Sequence, residues 1–99
     1  MKVDLGLYRH YRGKLYHVLM NVIHSETLEN MVVYQAQYDS TKFGNRAILV
    51  RPAAMFLETV EIEGKKVPMF EHLSLMEESQ HFVNLANQAY KSWTKRKKK

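Results

Sequence analysis

The segment YRHYRGKLYHV, residues 8–18, gathers three tyrosines, two histidines, two arginines and a lysine around a single glycine. Guanidinium and phenol groups hold anions and aromatic ligands, and imidazoles move protons or bind metals. The same residues also build an ordinary half-exposed β-hairpin. With Arg12 and Gly13 at the tip, glycine supplies the positive φ that a tight turn requires. A two-residue loop places Arg9 opposite Tyr16, Tyr8 opposite His17 and His10 opposite Leu15, which lets Arg9 lie on the Tyr16 ring. A bulged three-residue loop slips that register by one. Local sequence is compatible with both.

His10, His17 and His24 recur at intervals of seven, a spacing that fits neither one strand face nor one helical turn, and no metal site is read from them. His24, Ser25 and Glu26 carry the letters of a hydrolytic triad, but neighbours in a turn point to different sides and cannot converge. The H-x-E they form lacks the P-C-x-x-C of the zinc deaminases. They read instead as turn chemistry, with Ser25 and Thr27 bonding local amides and Glu29 and Asn30 solvated. Such a polar loop beside an aromatic-rich sheet is also where a small domain places recognition contacts. Arg51, between Val50 and Pro52, has two readings: a network with Glu26 or Glu58, or a seat for an anionic ligand.

Short strands must position these groups. KLYHVLMNVIH is rich in aromatic and β-branched residues and sets Tyr16, Val18, Met20 and Val22 on one face. MVVYQAQY alternates likewise, with Val32, Tyr34, Ala36 and Tyr38 opposite Gln35 and Gln37. AILVR is a strand stopped by Pro52. LETVEIEGKKVPMFEHL turns near Gly64, with Val60 and Ile62 inward and Glu61 and Glu63 outward. Between these strands, RPAAMF suits a single 3₁₀ turn that drops Met55 and Phe56 into the core.

The period changes at Ser74, which forms a capping box with Glu77. Leu75, Phe82, Ala86, Ala89 and Trp93 then recur at helical spacing, flanked by Met76, Val83 and Tyr90. A helix of roughly 18–20 residues is predicted, long by globular standards. Its apolar stripe is expected to pack on the strands, with the last turns buried against a second copy.

The 99 residues make one domain with a net charge of +5. Six of the fifteen basic residues are Lys91, Lys95, Arg96, Lys97, Lys98 and Lys99, which leaves residues 1–90 with nine basic and ten acidic side chains. The body therefore lacks a general electrostatic footprint for phosphates. The chain has no cysteine, which excludes disulfides, thiol catalysis and thiolate metal sites and suits a reducing cytosol. MKVDLGLYRHY has no apolar signal region, and no stretch approaches the ~20 apolar residues of a membrane span. A cytoplasmic protein without membrane contact is expected.

The fragments GLYRHYRGKLYHV, HSETLE, VVYQAQY and VRPAAMFLETVEIEGKKVPMF, in this order, resemble a bacterial family known as domain of unknown function sixteen-fifty-three. Its pattern runs G-x-Y-R-H-Y-K-G, H-S-E-T, V-V-Y, W-V-R-P-x-x-M-F and V-P-x-F. Arg12 takes the place of the usual lysine, and Leu49 stands where the family often has tryptophan. The resemblance implies an SH3-like barrel or roll and no established activity.

The expected fold is mainly β: a small SH3-like barrel or roll over residues 1–73, one C-terminal α-helix over 74–94 packed on it, and a basic disordered tail over 95–99. The expected function is a non-enzymatic binding module for a small anionic or aromatic ligand or a protein partner. Its candidate surface combines Tyr8, His10, Tyr11, His24, Glu26, Tyr34, Tyr38 and Arg51. One alternative is weak, non-specific nucleic-acid binding through Lys95, Arg96, Lys97, Lys98 and Lys99. Another is a small enzyme using His10 or His24 as general base. No cofactor or metal is expected, and a homodimer through the C-terminal helix is a candidate assembly.

Overall fold

The computed structural model describes residues 2–97, with side chains as far as Lys91. The chain is mainly β with one long C-terminal helix. Strands β1 (Gly6–His10) and β2 (Leu15–Ile23) form the first hairpin, followed by β3 (Asn30–Ala36). A small ribbon of β4 (Asp39–Ser40) and β5 (Gly44–Asn45) leads to β6 (Ile48–Pro52). One helical turn, α1 (Ala53–Phe56), precedes the hairpin of β7 (Thr59–Ile62) and β8 (Lys65–Pro68). The short β9 (Phe70–His72) then hands over to α2 (Leu75–Lys97).

Five antiparallel strands make one sheet in the order β6-β3-β2-β1-β9. The sheet coils strongly, because the Arg51 guanidinium of one edge strand lies 5.4 Å from the ring centroid of Phe70 on the other. The inside of the coil is apolar. Val18, Val32, Tyr34 and Phe70 face it, as the alternation of β3 predicts, and Tyr8 joins them from β1. Phe56 plugs it from α1, stacked on Phe70 at 4.2 Å with Tyr8 and Tyr34 edge-on at 5.2 and 5.4 Å. Offset and edge-to-face rings use the aromatic quadrupole favourably.

Several details depart from the sequence reading. RPAAMF forms an α-turn, and only Ala53 and Phe56 of it are buried; Met55 is exposed. In β2 a bulge between Val18 and Met20 breaks the pairing with β3. The extra residue moves Met20 and Val22 to the outer face, away from Tyr16 and Val18. Ile62, expected inward, is also exposed, because β7 and β8 form a separate two-stranded ribbon outside the main sheet.

The capping box forms as predicted: Ser74 Oγ accepts from the Glu77 amide at 3.2 Å, and Glu77 reaches back to the Ser74 amide at 3.4 Å. The helix continues to Lys97, so Lys95, Arg96 and Lys97 extend it rather than starting the tail. Lys98 and Lys99 lie outside the described residues. The helix meets the outer face of the sheet at its β1 end. Glu77 pairs with Arg9 at 3.5 Å, and the Leu7 amide donates to Glu78 at 3.4 Å. His81 bonds Gln37 at 3.2 Å, and Phe82 meets His17 with ring centroids 5.8 Å apart. Its partly buried residues are thus Glu78, His81 and Leu85, while Leu75, Met76, Val83 and Ala86 of the predicted stripe stay exposed. Remote polar partners, invisible to helical periodicity, turn the helix this way. Among the described residues no helix is long and apolar enough to cross a membrane.

Candidate functional site

The first hairpin takes the three-residue loop. The His10 amide donates to Lys14 at 2.8 Å, the Gly13 amide donates to His10 at 2.7 Å, and Gly13 adopts φ 105°. Tyr8 consequently sits opposite Tyr16 and Arg9 opposite Leu15. Successive strand residues alternate faces, so His10 joins Tyr8 and Tyr16 inside the coil. Arg9 turns outward to Glu71 and Glu77 and does not cover the Tyr16 ring.

One end of the coil gathers His10, Tyr16, Tyr34, Tyr38, Arg51 and Phe70. Phe70 is its floor, with His10 at 5.0 Å, Tyr16 at 5.5 Å and Tyr34 at 5.9 Å between ring centroids. Above the same ring lies the Arg51 guanidinium, which also donates to Met69 Sδ at 3.3 Å. Neither Glu26 nor Glu58 meets Arg51. The ion pairs among the described residues belong to Arg9. No buried side-chain nitrogen or oxygen among them lacks a partner, so the remaining guanidinium N–H groups face solvent. The Tyr16 and Tyr38 hydroxyls hydrogen-bond each other, and Lys14 Nζ stands 4.8 Å from the centroid of the Tyr38 ring.

The electrostatics follow from this packing. Burial lowers the His10 pKa from its ordinary value, and the Arg12 and Arg51 charges lower it further. Burial raises the Tyr16 pKa, the Tyr38 bond adds to the shift, and Arg51 opposes it. At neutral pH the cluster therefore sets the permanent charge of Arg51 beside an uncharged His10 imidazole and an uncharged Tyr16 phenol.

The other sequence candidates lie elsewhere. Tyr8 is buried in the core, donates to the Asp4 carbonyl at 2.8 Å and stacks on His72 at 4.6 Å. Tyr11 is exposed beside Arg12 in the loop. His24 and Glu26 occupy the turn at the far end of β2, roughly 27 Å away along a nine-residue strand. His24 Nδ1 accepts from the Glu26 and Thr27 amides at 3.2 and 3.3 Å, and His10 Nδ1 accepts from the Arg12 amide at 3.2 Å. These bonds assign the remaining proton of each neutral ring to Nε2, leaving no lone pair open for a general base. Side chains of Lys95, Arg96 and Lys97 lie beyond those described. Sequence reasoning missed Tyr16, Phe70 and Lys14 as members of the cluster. The tyrosines of β2 and β3 at one strand end were the available signal.

His10 also lines a groove of about 310 Å³. Tyr11, Ile62, Val67 and Pro68 supply its apolar wall, with Arg9 and Glu71 at its polar side.

Tyr8 makes the fold sensitive to alkali. Burial, with a smaller contribution from Asp4, pushes its phenol up to about 12 from an ordinary 10.0. The folded chain keeps this proton longer than the unfolded chain. Stability is therefore full below pH 10 and falls as the pH rises from 10 towards 12, by at most about 3 kcal/mol. Urea midpoints at about pH 9 and about pH 11 check this: they should fall with pH, and less steeply in Tyr8→Phe, which has no proton to lose. Equal slopes in the two proteins would remove Tyr8 as the source.

The family model described as "Protein of unknown function (DUF1653)" matches residues 6–72. A crystal structure of a protein of that family from Bordetella bronchiseptica is similar, with a TM-score of 0.62 and 30% sequence identity. The similarity covers 74% of this chain and 94% of that one. Among curated proteins none matches. The whole His10–Arg51–Phe70 cluster falls inside the matched region, and α2 falls outside it.

Proposed function

The chain belongs to the DUF1653 family, and from that premise we propose that it is a small, non-enzymatic binding module. Its ligand is a small carboxylate or phosphate, held where His10, Tyr16, Tyr38 and Arg51 meet. The observation that carries this reading is Arg51: a guanidinium seated on Phe70 and Met69, without a carboxylate, with N–H groups open to solvent. A planar, pre-positioned guanidinium loses little freedom when it binds an oxyanion. Of the Tyr16 and Tyr38 hydroxyls, the one that accepts in their mutual hydrogen bond keeps its own O–H to donate, and the groove shared with His10 gives room for an apolar remainder. Both histidines spend their Nδ1 lone pairs on the backbone, which supports binding over acid–base chemistry. The cysteine-free sequence suits a cytoplasmic setting.

An NMR titration with inorganic phosphate and with benzoate tests the reading. The Arg51 Nε–H signal and the Tyr16 and Tyr38 ring signals should move together on saturation. Arg51→Ala should weaken binding roughly 10- to 100-fold, the worth of a charge-assisted hydrogen bond. Signals that stay still with both probes, or an unchanged affinity in the variant, would sink the proposal.

A further inference from the structure

Two apolar surfaces of this chain face solvent. On the outer face of the sheet, the register aligns Met20, Val33 and Val50 in one row and Val22, Met31 and Pro52 in the next. Met20 is 50% exposed, Val50 58% and their neighbour Ile48 63%. The second surface is the outward side of α2, where Leu75 is 82% exposed, Met76 84% and Val83 51%. These three, with Ser79 and Gln80, line a hollow of about 320 Å³. Neither surface contains a charged residue, in a chain in which 25% of residues are charged.

A helix stripe and a sheet face are the two halves of the packing by which α+β proteins bury apolar surface. The chain cannot join its own halves. Its helix is held at the β1 end of the sheet by Arg9, Leu7 and Gln37, and the side that meets the sheet carries Glu78, His81 and Leu85. A second copy can join them. A two-fold axis that lays one helix on the partner's open rows lays the partner's helix on this chain's rows, so both surfaces of both copies are covered at once.

We propose that the outward stripe of α2 docks on the Met20–Val33–Val50 rows of a second copy, forming a reciprocal helix-on-sheet dimer. Each helix then lies between two sheets, its polar side on its own and its apolar side on the partner's. Apolar patches of this kind mark interfaces. The contact is independent of the Arg51 cluster, which faces the inside of the coil.

Sedimentation over a range of concentrations tests it with two charge variants, Val50→Lys on the sheet and Val83→Glu on the helix. Wild type should dimerise, and each variant alone should be monomeric with an unchanged near-ultraviolet circular dichroism spectrum. An equimolar mixture of the two should dimerise again, because one half of the interface is then native and the other pairs lysine with glutamate. Should either variant misfold, Ile48→Lys and Met76→Glu replace them in the same design. A monomeric wild type, a dimer that survives in either variant, or a mixture that stays monomeric would overturn the proposal.

Discussion

Replacing Phe56 with alanine is expected to destabilise the fold by about 3–5 kcal/mol. The ring is 1% exposed and packs against the rings of Tyr8, Tyr34 and Phe70 together. A coiled sheet cannot collapse into the hole, because its strands are held at fixed spacing by their ladder, so the cavity persists. The loss is a large share of the about 5–15 kcal/mol that holds a domain of this size. It also removes the stacking partner of Phe70, on which Arg51 rests, so anion affinity should fall with stability. Urea unfolding reads the first effect as a lower midpoint at unchanged slope. Met55→Ala, on the exposed side of the same turn, should shift stability by no more than about 0.5 kcal/mol. If the two variants unfolded alike, Phe56 would not be the keystone of the coil.

The second large effect is expected at Gly6, which adopts φ 129°. An alanine there is strained by backbone conformation alone, on the order of 1–3 kcal/mol. Its Cβ would also stand 3.0 Å from His72 Nε2 and 3.1 Å from Glu78 Oε2. Glu78 is the acceptor for the Leu7 amide, so pushing it aside frees the first turns of α2 from the sheet. Gly13 isolates the two contributions, since it has φ 105° and nothing within 4 Å of a Cβ. Gly6→Ala should cost more than Gly13→Ala, and hydrogen exchange should quicken at Leu7 and along α2 in the first variant only. Equal costs would mean that the close approach to Glu78 contributes nothing.

Some of this was legible along the chain because its causes are local. Ser74 finds its capping partner three residues away, and any chain with that spacing and a following helix can close the same box. The alternation of Val32, Tyr34 and Ala36 names the buried face of β3, because a strand has a period of two whatever it packs on. The family resemblance likewise rests on contiguous blocks between residues 6 and 72.

What faces what was decided only by the tertiary structure. Arg12-Gly13 tolerates a two- or a three-residue loop, and a one-residue slip exchanges the faces of a whole strand. Packing inside the coil decides between them, for only the longer loop brings His10 and Tyr8 round to Phe70 and Phe56. The bulge after Val18 opens the outer face to Met20 in the same way, without any glycine or proline to announce it. His24 and Glu26 resemble a site in the sequence, yet the length of β2 holds them away from the tyrosines. Arg51 and Phe70 are nineteen positions apart in the chain and lie on opposite edges of the sheet. They meet because right-handed twist accumulates across five strands until the edges face each other.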